Sequence, residues 1–419
     1  MWCARPEPRL QRNSKFNEKS ERILMISRVI LCLNAGSSSL KFAVYRIAPE
    51  IETSLANGAV EQDGTRSRVW VRIGRRTIQK TSKTLFSLAA ALHEVTTELE
   101  ELTLPHPDAA GHRLVHGGPN HVAPARVTDA LSEELRAMIP FAPLHLPAEI
   151  AGIDSVTSRF PDLPQVACFD TAFHRSMPEV AQRFSLPRAI WDEGIRRYGF
   201  HGISYEYIMG TLGPTPPARV IIAHLGSGAS MAAVKDGSPV DTTMGFTPSG
   251  GFMMGTRSGD LDPGVLLYFL RQKSFDAEQL ERFVNEQSGL LGISGLSSDM
   301  RSLLERRATD LHAALAVEMF CYQIRKQVGA LSAVLGGLDL LVFTGGIGEK
   351  AAPVRWDVCQ GLEHLGIKLD RERNDANADT ISASNSQCVI RVIPTNEDLM
   401  IARHTYRLLN PASSEKARE

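Results

Sequence analysis

Two arginines lie in glycine-rich segments of the sequence, an unusual setting for side chains that only need an ion-pair partner. Arg113 lies in Gly-His-Arg-Leu-Val-His-Gly-Gly, and Arg257 lies in Gly-Thr-Arg-Ser-Gly-Asp. The paired N–H groups of a guanidinium match the geometry of a carboxylate or a phosphate. Together they indicate an anionic ligand, and a structural ion pair is the alternative for each.

Two acids and one histidine could complete such a site. Asp170 follows the apolar run 165–169, and Glu397 follows Pro-Thr-Asn. Carboxylates at strand ends commonly hold Mg²⁺ together with phosphate oxygens, and the alternative is a role at a helix N-terminus. His201, in Tyr-Gly-Phe-His-Gly, could stabilise charge on a phosphoryl group, or it could be a structural residue.

Three glycine-rich or serine-rich turns follow apolar runs, at residues 34–39, 224–230 and 344–349. Such turns present backbone N–H groups in an arrangement that suits phosphate oxygens. None contains the P-loop or the dinucleotide-binding glycine pattern. The three turns together predict a site for a nucleotide polyphosphate.

The elements that would position these residues alternate between strands and helices. Segments 28–45 and 219–234 both run from an apolar strand through a small-residue turn to a second apolar strand, so we expect a repeat and two domains on one plan, with chance similarity as the alternative. Further strands are predicted at 165–169, 339–343 and 387–393, and helices at 82–102, 128–138, 276–287, 303–335 and 397–409. The pattern predicts an α/β protein.

Composition narrows the class further. The chain has 419 residues, of which 43% are apolar and 22% charged, and its net charge is −1. This is typical of a globular protein with more than one core, and it gives no electrostatic indication of nucleic-acid or membrane binding. The six cysteines form no C-x-x-C pair, which favours reduced thiols in the cytoplasm. No apolar run is long enough to predict a membrane span.

The first residues differ from the rest because they are rich in Lys and Arg. They lack the apolar stretch of a signal peptide, and Glu7, Glu18 and Glu21 disfavour a transit peptide. We expect a disordered extension at 1–27, with Met25 as an alternative start, and a tail at 411–419.

Eight motifs, in order, resemble those of the acetate kinase family from about Val29 to Arg407. They are Asn-Ala-Gly-Ser-Ser-Ser-Leu-Lys, His-Arg-Leu-Val-His-Gly-Gly, Phe-Asp-Thr-Ala-Phe-His, Tyr-Gly-Phe-His-Gly, Met-Gly-Phe-Thr-Pro, Gly-Thr-Arg-Ser-Gly-Asp-Leu-Asp-Pro, Phe-Thr-Gly-Gly-Ile-Gly-Glu and Pro-Thr-Asn-Glu.

The resemblance implies two duplicated actin-like (ribonuclease H-like) α/β domains flanking an active-site cleft. The first would cover 28–172, completed by a C-terminal helix at 396–410, and the second, nucleotide-binding domain would cover 173–395. It also implies a homodimer and direct, reversible in-line transfer of the ATP γ-phosphoryl group to acetate, giving acetyl phosphate and ADP. Through acetyl phosphate the reaction would connect with acetyl-CoA. Mg²⁺ would be the metal, with Mn²⁺ as a substitute.

The resemblance also assigns roles. Catalytic residues would be Asp170, His201, Arg257 and Arg113, and metal ligands would be Asn34, Glu397 and Asp170. For Asp170 we favour metal binding over proton abstraction, because a carboxylate substrate is already ionised at pH 7. The acyl pocket would comprise Arg113, Val115, Leu144, Phe200 and Pro248. The nucleotide-binding residues would be Ser37, Ser39, Lys41, His224, Leu225, Gly226, Ser227, Gly228, Asp299, Met300, Arg301, Gly346, Ile347, Gly348, Glu349 and Lys350.

Four positions depart from the family pattern. Ser227 and Leu146 stand where Asn is usual, Tyr205 where a second His is usual, and Lys350 where Asn is common. We expect these departures to affect the preference for the phosphoryl donor and the details of the substrate pocket more than the activity itself.

Three alternatives stay open. Propionate or butyrate could replace acetate, because one methylene changes binding by only ~1–3 kcal/mol. A non-enzymatic ATP-binding switch could share the fold, although the two arginines, His201 and the two acids favour an enzyme. Pyrophosphate could replace ATP, although the motifs at 299–301 and 346–349 favour ATP.

Overall fold

The computed structural model describes residues 27–36, 38–63, 66–82 and 86–411. The chain divides into two compact units. Unit 1 comprises the residues up to His112, Gly152–Val166 and those from Ala402 onward, and unit 2 comprises Arg113–Ala151 and Ala167–Ile401. The domain division expected at 28–172 and 173–395 stays a prediction, because units defined by contacts need not coincide with duplicated domains. The predicted nucleotide-binding residue Ser37 lies outside the described residues. So do the predicted terminal segments 1–27 and 411–419, except for Ser27 and Pro411.

Unit 1 is built on an antiparallel meander that continues into parallel strands. Its strands are β1 (Arg28–Ala35), β2 (Ser39–Ala48), β3 (Ile51–Asp63), β4 (Arg66–Ile73) and β5 (Arg76–Ser82), together with the first residues of β6 (Ala109–Leu114) and β8 (Gln165–Phe169). Their spatial order is β5-β4-β3-β2-β1-β6-β8. β1 pairs antiparallel with β2 and parallel with β6. Helix α1 (Leu88–Glu101) contributes Ala91, Leu92 and Val95 to the core beneath the sheet.

Unit 2 contains a five-stranded sheet. Its strands are β9 (Arg219–Leu225), β10 (Ala229–Lys235), β11 (Ser238–Thr242), β12 (Leu340–Thr344) and β13 (Val389–Val392), in the order β11-β10-β9-β12-β13. The two-residue strand β7 (Ala125–Arg126) lies beside β8 at the edge of the first sheet. β9 pairs antiparallel with β10 and parallel with β12. β9 and β12 are buried on both faces, as their continuous apolar runs predict.

The two sheets share a local plan. In each, an apolar hairpin closed by a small-residue turn has a parallel strand on its other side, β2-β1-β6 in unit 1 and β10-β9-β12 in unit 2. The α/β class is therefore confirmed, and the expected repeat has a structural counterpart.

The remaining helices surround these sheets. They are α2 (Asp129–Ala137), α3 (Leu146–Arg159), α4 (Glu179–Gln182), α5 (Ala189–Asp192), α6 (Gly202–Leu212), α7 (Pro263–Gln272), α8 (Ala277–Glu286), α9 (Gly289–Ser294), α10 (Met300–Arg306), α11 (Leu311–Leu335), α12 (Gly345–Lys350), α13 (Ala352–Cys359), α14 (Arg371–Asp375) and α15 (Glu397–Leu409). Short 3-10 turns occur at Ile139–Phe141, Ala172–Ser176 and Glu363–Leu365.

Two helix predictions were wrong at their boundaries. The helix expected over 303–335 is interrupted, because the Asp310 side chain accepts hydrogen bonds from the backbone N–H groups of His312 and Ala313 and so begins a new helix. The helix expected from residue 82 begins at Leu88, because Ser87 caps it and Ser82 ends a strand. In the described part of the chain, no helix combines the length and apolar character needed to cross a membrane.

Candidate active site

Asp170 lies directly after β8, and the backbone fixes it from two sides. Its N–H donates to the Leu114 carbonyl at 2.9 Å, and its carbonyl accepts from the Gly202 N–H at 2.9 Å. A Cβ at position 202 would lie 2.1 Å from the Asp170 carbonyl oxygen, so only glycine permits this approach. The start of α6 and the end of β8 are thereby held together.

The Asp170 carboxylate is paired with Arg113, which lies near the end of β6. Arg113 Nη2 donates to Asp170 Oδ2, and Arg113 Nε lies 3.9 Å from Glu397 Oε2. Burial raises the pKa of Asp170 to about 6 even though Arg113 opposes the shift. One guanidinium therefore connects both predicted acids.

The acids fit a divalent cation that is also bound by phosphate oxygens. Asp170 Oδ1 is buried and has no hydrogen-bond partner among the described residues, and a carboxylate oxygen of this kind is a suitable ligand for Mg²⁺. Within the described ranges, no three His, Cys, Asp or Glu side chains converge on a metal site. A divalent cation at a phosphate site can be held by one or two carboxylates, with water and substrate phosphates completing its coordination. Asn34, the third predicted ligand, lies in β1 of unit 1.

Two buried histidines stack face to face beside the Arg113–Asp170 pair. The ring centroids of His201 and His224 are 4.3 Å apart. His201 precedes α6 in a left-handed conformation with φ of 57°, a strained geometry that is more frequent at functional sites. Burial lowers the pKa of His201 well below its usual value and that of His224 to about 4, so both rings are neutral at pH 7.

Arg257 faces the same glycine as His201. Its Nη1 donates to the Pro248 carbonyl at 3.1 Å, and its Nη2 donates to His145 Nε2 at 3.3 Å. A Cβ at Gly228 would lie 3.4 Å from both Arg257 Nη1 and His201 Nε2. A guanidinium and an imidazole nitrogen thus converge on the β9–β10 turn.

A cavity of about 570 Å³ opens beside that turn. Eight predicted nucleotide-binding residues line it, namely Gly226, Ser227, Asp299, Met300, Arg301, Gly346, Ile347 and Lys350. Five others in unit 2 do not line it. His224 stacks on His201, and Gly228 faces His201 and Arg257. Leu225 and Gly348 are buried, and the Glu349 carboxylate accepts from the backbone N–H groups of Gly345 and Thr395. Ser39 and Lys41 lie in β2 of unit 1.

The predicted acyl-pocket residues occupy different environments. Val115 and Phe200 are buried, whereas the Leu144 side chain is 41% exposed. The Pro248 carbonyl holds Arg257. Val115, Pro248 and Leu144, next to His145, therefore lie on segments that contact the site.

Comparison with known proteins decides the family. Residues 29–403 match the acetokinase family. The chain belongs to the acetokinase family. It is 46% identical over 402 residues to the acetate kinase of Methylocella silvestris, covering 92% of this chain and 99% of the relative. It is 45% identical over 399 residues to the acetate kinase of Rhodopseudomonas palustris, covering 91% and 99%.

Solved structures of acetokinase-family proteins have the same fold. The Porphyromonas gingivalis acetate kinase matches with a TM-score of 0.82 at 36% identity, covering 91% of this chain and 100% of that one. A propionate kinase from Francisella tularensis matches with a TM-score of 0.84 at 38% identity, covering 90% and 98%. This level of likeness supports a duplicated actin-like fold for the acetokinase-family chain.

Three residues that contact the site are not among the predicted site residues. His145 accepts from Arg257, Glu149 Oε2 accepts from the Val115 N–H at 2.9 Å, and Ser230 binds His201. His145 was detectable as a polar residue between Leu144 and Leu146. Ser230 is the last residue of the predicted turn 224–230, although its contact with His201 was not predicted. Nothing in the local sequence marks Glu149.

Proposed function

We propose that this chain is an acetate kinase, which transfers the γ-phosphoryl group of ATP to acetate. An acetate oxygen would form a bond to the γ-phosphorus while the bond to the β,γ-bridging oxygen breaks, giving acetyl phosphate and ADP. The observation that carries the proposal is the convergence of the Arg113–Asp170 pair, Glu397, His201 and Arg257 within unit 2 of a chain in the acetokinase family.

The acids would bind the metal rather than remove a proton. Acetate reaches the site ionised at pH 7, so the reaction needs no general base for the nucleophile. The unpartnered Asp170 Oδ1 and the nearby Glu397 carboxylate supply oxygen ligands of the kind that Mg²⁺ prefers, and Asn34 would be the third. The bound cation would offset negative charge on the phosphate oxygens. Mn²⁺ would serve as a substitute.

Arg113, Arg257 and His201 would act on the acyl and phosphoryl oxygens. A phosphoryl group in transfer spreads its charge over three equatorial oxygens, so fixed donors lower the barrier by positioning and electrostatics. The donors are held before substrate arrives, because Arg113 is anchored by Asp170 and Arg257 by Pro248 and His145. Such preorganised donors are worth more in a water-poor site than in solution.

ATP would place its adenosine in the 570 Å³ cavity and its phosphates along the turn between β9 and β10. We propose Asp299, Arg301, Gly346 and Lys350 as the adenosine side and residues 224–228 as the phosphate side. Ser37, Ser39 and Lys41 would form the phosphate-side loop of unit 1. A cavity of this size favours a nucleotide over pyrophosphate as the donor.

The acyl pocket would hold a methyl group against Val115, Leu144, Phe200 and Pro248. Acetate is the first choice because the curated relatives at 46% and 45% identity are acetate kinases. Propionate is the second candidate, because the Francisella tularensis protein with a TM-score of 0.84 is a propionate kinase. One methylene in an apolar pocket changes selectivity by only ~1–3 kcal/mol.

We also propose a homodimer formed through α7. Neither α7 nor the neighbouring α8 contributes a buried residue, and α7 exposes Val265, Leu267, Tyr268 and Leu270. Contiguous apolar surface of this kind marks interfaces.

The five cysteines of the described segments are free, which agrees with a reducing cytoplasm.

A hydroxamate assay tests the activity. Purified protein receives Mg-ATP, hydroxylamine and acetate, propionate or butyrate, with Arg257→Ala as the control. Acyl hydroxamate from the wild type alone supports the proposal, and relative kcat/KM values identify the acid. Absence of product with all three acids, from folded protein that binds ATP, would favour a nucleotide switch instead.

A further inference from the structure

A buried hydrogen-bonded chain lies behind His201. Ser230 Oγ is 2.8 Å from His201 Nδ1 and 2.5 Å from the Tyr205 hydroxyl oxygen. Tyr205 lies in α6, one turn after His201, and Ser230 lies in β10. Tyr205 and Ser230 are fully buried and His201 is almost so. Regular secondary structure therefore fixes both hydroxyl groups against the ring.

In one proton arrangement, both hydroxyl protons of the Tyr205–Ser230–His201 hydrogen-bonded series have an acceptor among the described residues. Burial raises the pKa of Tyr205, so the phenol keeps its proton. If Tyr205 donates to Ser230 and Ser230 donates to His201 Nδ1, both hydroxyl protons have acceptors. If Nδ1 carried the ring proton and donated to Ser230, one hydroxyl proton would be buried without an acceptor, which folded proteins rarely tolerate.

The first arrangement leaves the His201 proton on Nε2. That atom lies toward Gly228, where a Cβ would be 3.4 Å from it and 3.4 Å from Arg257 Nη1. The neutral ring then presents an N–H donor beside the arginine. In the other tautomer a lone pair would point there and would repel a phosphoryl oxygen.

We propose that Tyr205 is a positioning residue that acts through Ser230 to hold His201 in the Nε2–H tautomer, the form that donates to the transferring phosphoryl group. The inference rests on the proposed function. It gives a role to Tyr205, which the sequence shows as a departure from the family pattern.

The first test is the tautomer itself. Nitrogen-15 NMR of histidine-labelled protein, with His201→Gln to assign the signal, reads the protonation of each ring nitrogen. We expect a bare Nδ1 and a protonated Nε2 in the wild type. In Tyr205→Phe we expect a larger Nδ1–H population than in the wild type, because Ser230 Oγ no longer accepts from the phenol and is freer to accept from Nδ1. A protonated Nδ1 in the wild type would overturn the proposal, whatever the protein's activity.

The second test is kinetic. In Tyr205→Phe we expect kcat to fall about tenfold, the effect of about 1.4 kcal/mol on the barrier. KM for acetate and ATP should stay within about twofold, because the loss acts through His201 rather than through ground-state binding. Tyr198→Phe is the matched control, since it removes a buried phenol bonded to the Gly194 carbonyl at 2.7 Å, outside this chain of groups. An unchanged kcat in Tyr205→Phe would refute the role.

A double-mutant cycle completes the test. Because Tyr205 acts only through Ser230, Ser230→Ala with Tyr205→Phe should match Ser230→Ala alone in kcat. Multiplicative losses would show independent effects and would contradict the proposal. If no acid is phosphorylated, the proposed function fails while the NMR result still decides the tautomer.

Discussion

Glu149 carries a carboxyl group in the interior of unit 2, and this should give the stability of the protein a distinctive pH dependence. The side chain is 2% exposed, and its Oε2 accepts a hydrogen bond from the Val115 N–H. Burial raises its pKa to about 8, against the opposing effects of Arg113 and the Val115 N–H. The folded protein therefore holds a proton that the unfolded chain releases near the ordinary carboxyl pKa.

The sign follows from proton linkage. Between the unfolded pKa of 4.5 and the folded pKa of about 8, the native state binds more protons, so the free energy of unfolding falls as pH rises. At about 1.36 kcal/mol per pKa unit, ionisation of Glu149 costs about 3 kcal/mol between pH 5 and pH 8. Glu149→Gln keeps an acceptor for Val115 and removes the titration.

Urea unfolding of wild type, Glu149→Gln and the exposed control Glu133→Gln at pH 5 and pH 8 measures this effect. We expect the stability of Glu149→Gln relative to wild type to rise by about 3 kcal/mol from pH 5 to pH 8, and Glu133→Gln to follow wild type. A stability difference between Glu149→Gln and wild type that is the same at both pH values would refute the reasoning.

Three further predictions concern the site. Gly202→Ala should destabilise the protein by about 1–3 kcal/mol and reduce kcat, because its Cβ would meet the Asp170 carbonyl. Thermal unfolding should show no such loss of stability in the control Gly210→Ala, because position 210 on the same helix has open space for a Cβ. Arg257→Lys should lower kcat by about 10²-fold, since one ammonium group cannot replace the hydrogen bonds to Pro248 and His145 while also binding substrate. Equal rates in initial-velocity assays of Arg257→Lys and the surface control Arg271→Lys would contradict this prediction. Asp299→Ala and the control Asp276→Ala should each lose about 1 kcal/mol of unfolding free energy, because each removes a helix cap. Only Asp299→Ala should raise KM for ATP. A parallel rise in KM in both variants would argue against the cavity as the nucleotide site.

Short-range features of the fold were predictable because their signals are local. Apolar runs closed by small residues predicted both hairpins. Arg113, Arg257 and His201 stand in glycine-rich segments, and Asp170 directly follows an apolar strand. The interruption of the 303–335 helix was also detectable, since an aspartate before an apolar helix is a common cap. The meander over β3 to β5 was missed because β3 and β4 mix exposed polar with buried apolar residues, and residues 76–81 of β5 are mostly exposed.

The supporting contacts of the site were not predictable from spacing. Ser230 reaches His201 across 29 positions, and His145 reaches Arg257 across 112. Such pairs depend on which strands become neighbours, and one sequence does not encode that locally. The burial of Glu149 likewise depends on packing around Arg113 rather than on its own helix.

The most direct measurement of the central claim follows oxygen from the acid to phosphorus. Protein, Mg-ATP and acetate labelled with oxygen-18 in its carboxyl group are monitored by phosphorus-31 NMR, with Arg257→Ala as the control. We predict equal amounts of ADP and acetyl phosphate, with an oxygen-18 isotope shift on the acetyl phosphate signal, from the wild type. ADP with unlabelled inorganic phosphate, and no labelled acetyl phosphate, would show that water is the acceptor and would contradict phosphoryl transfer to a carboxylate.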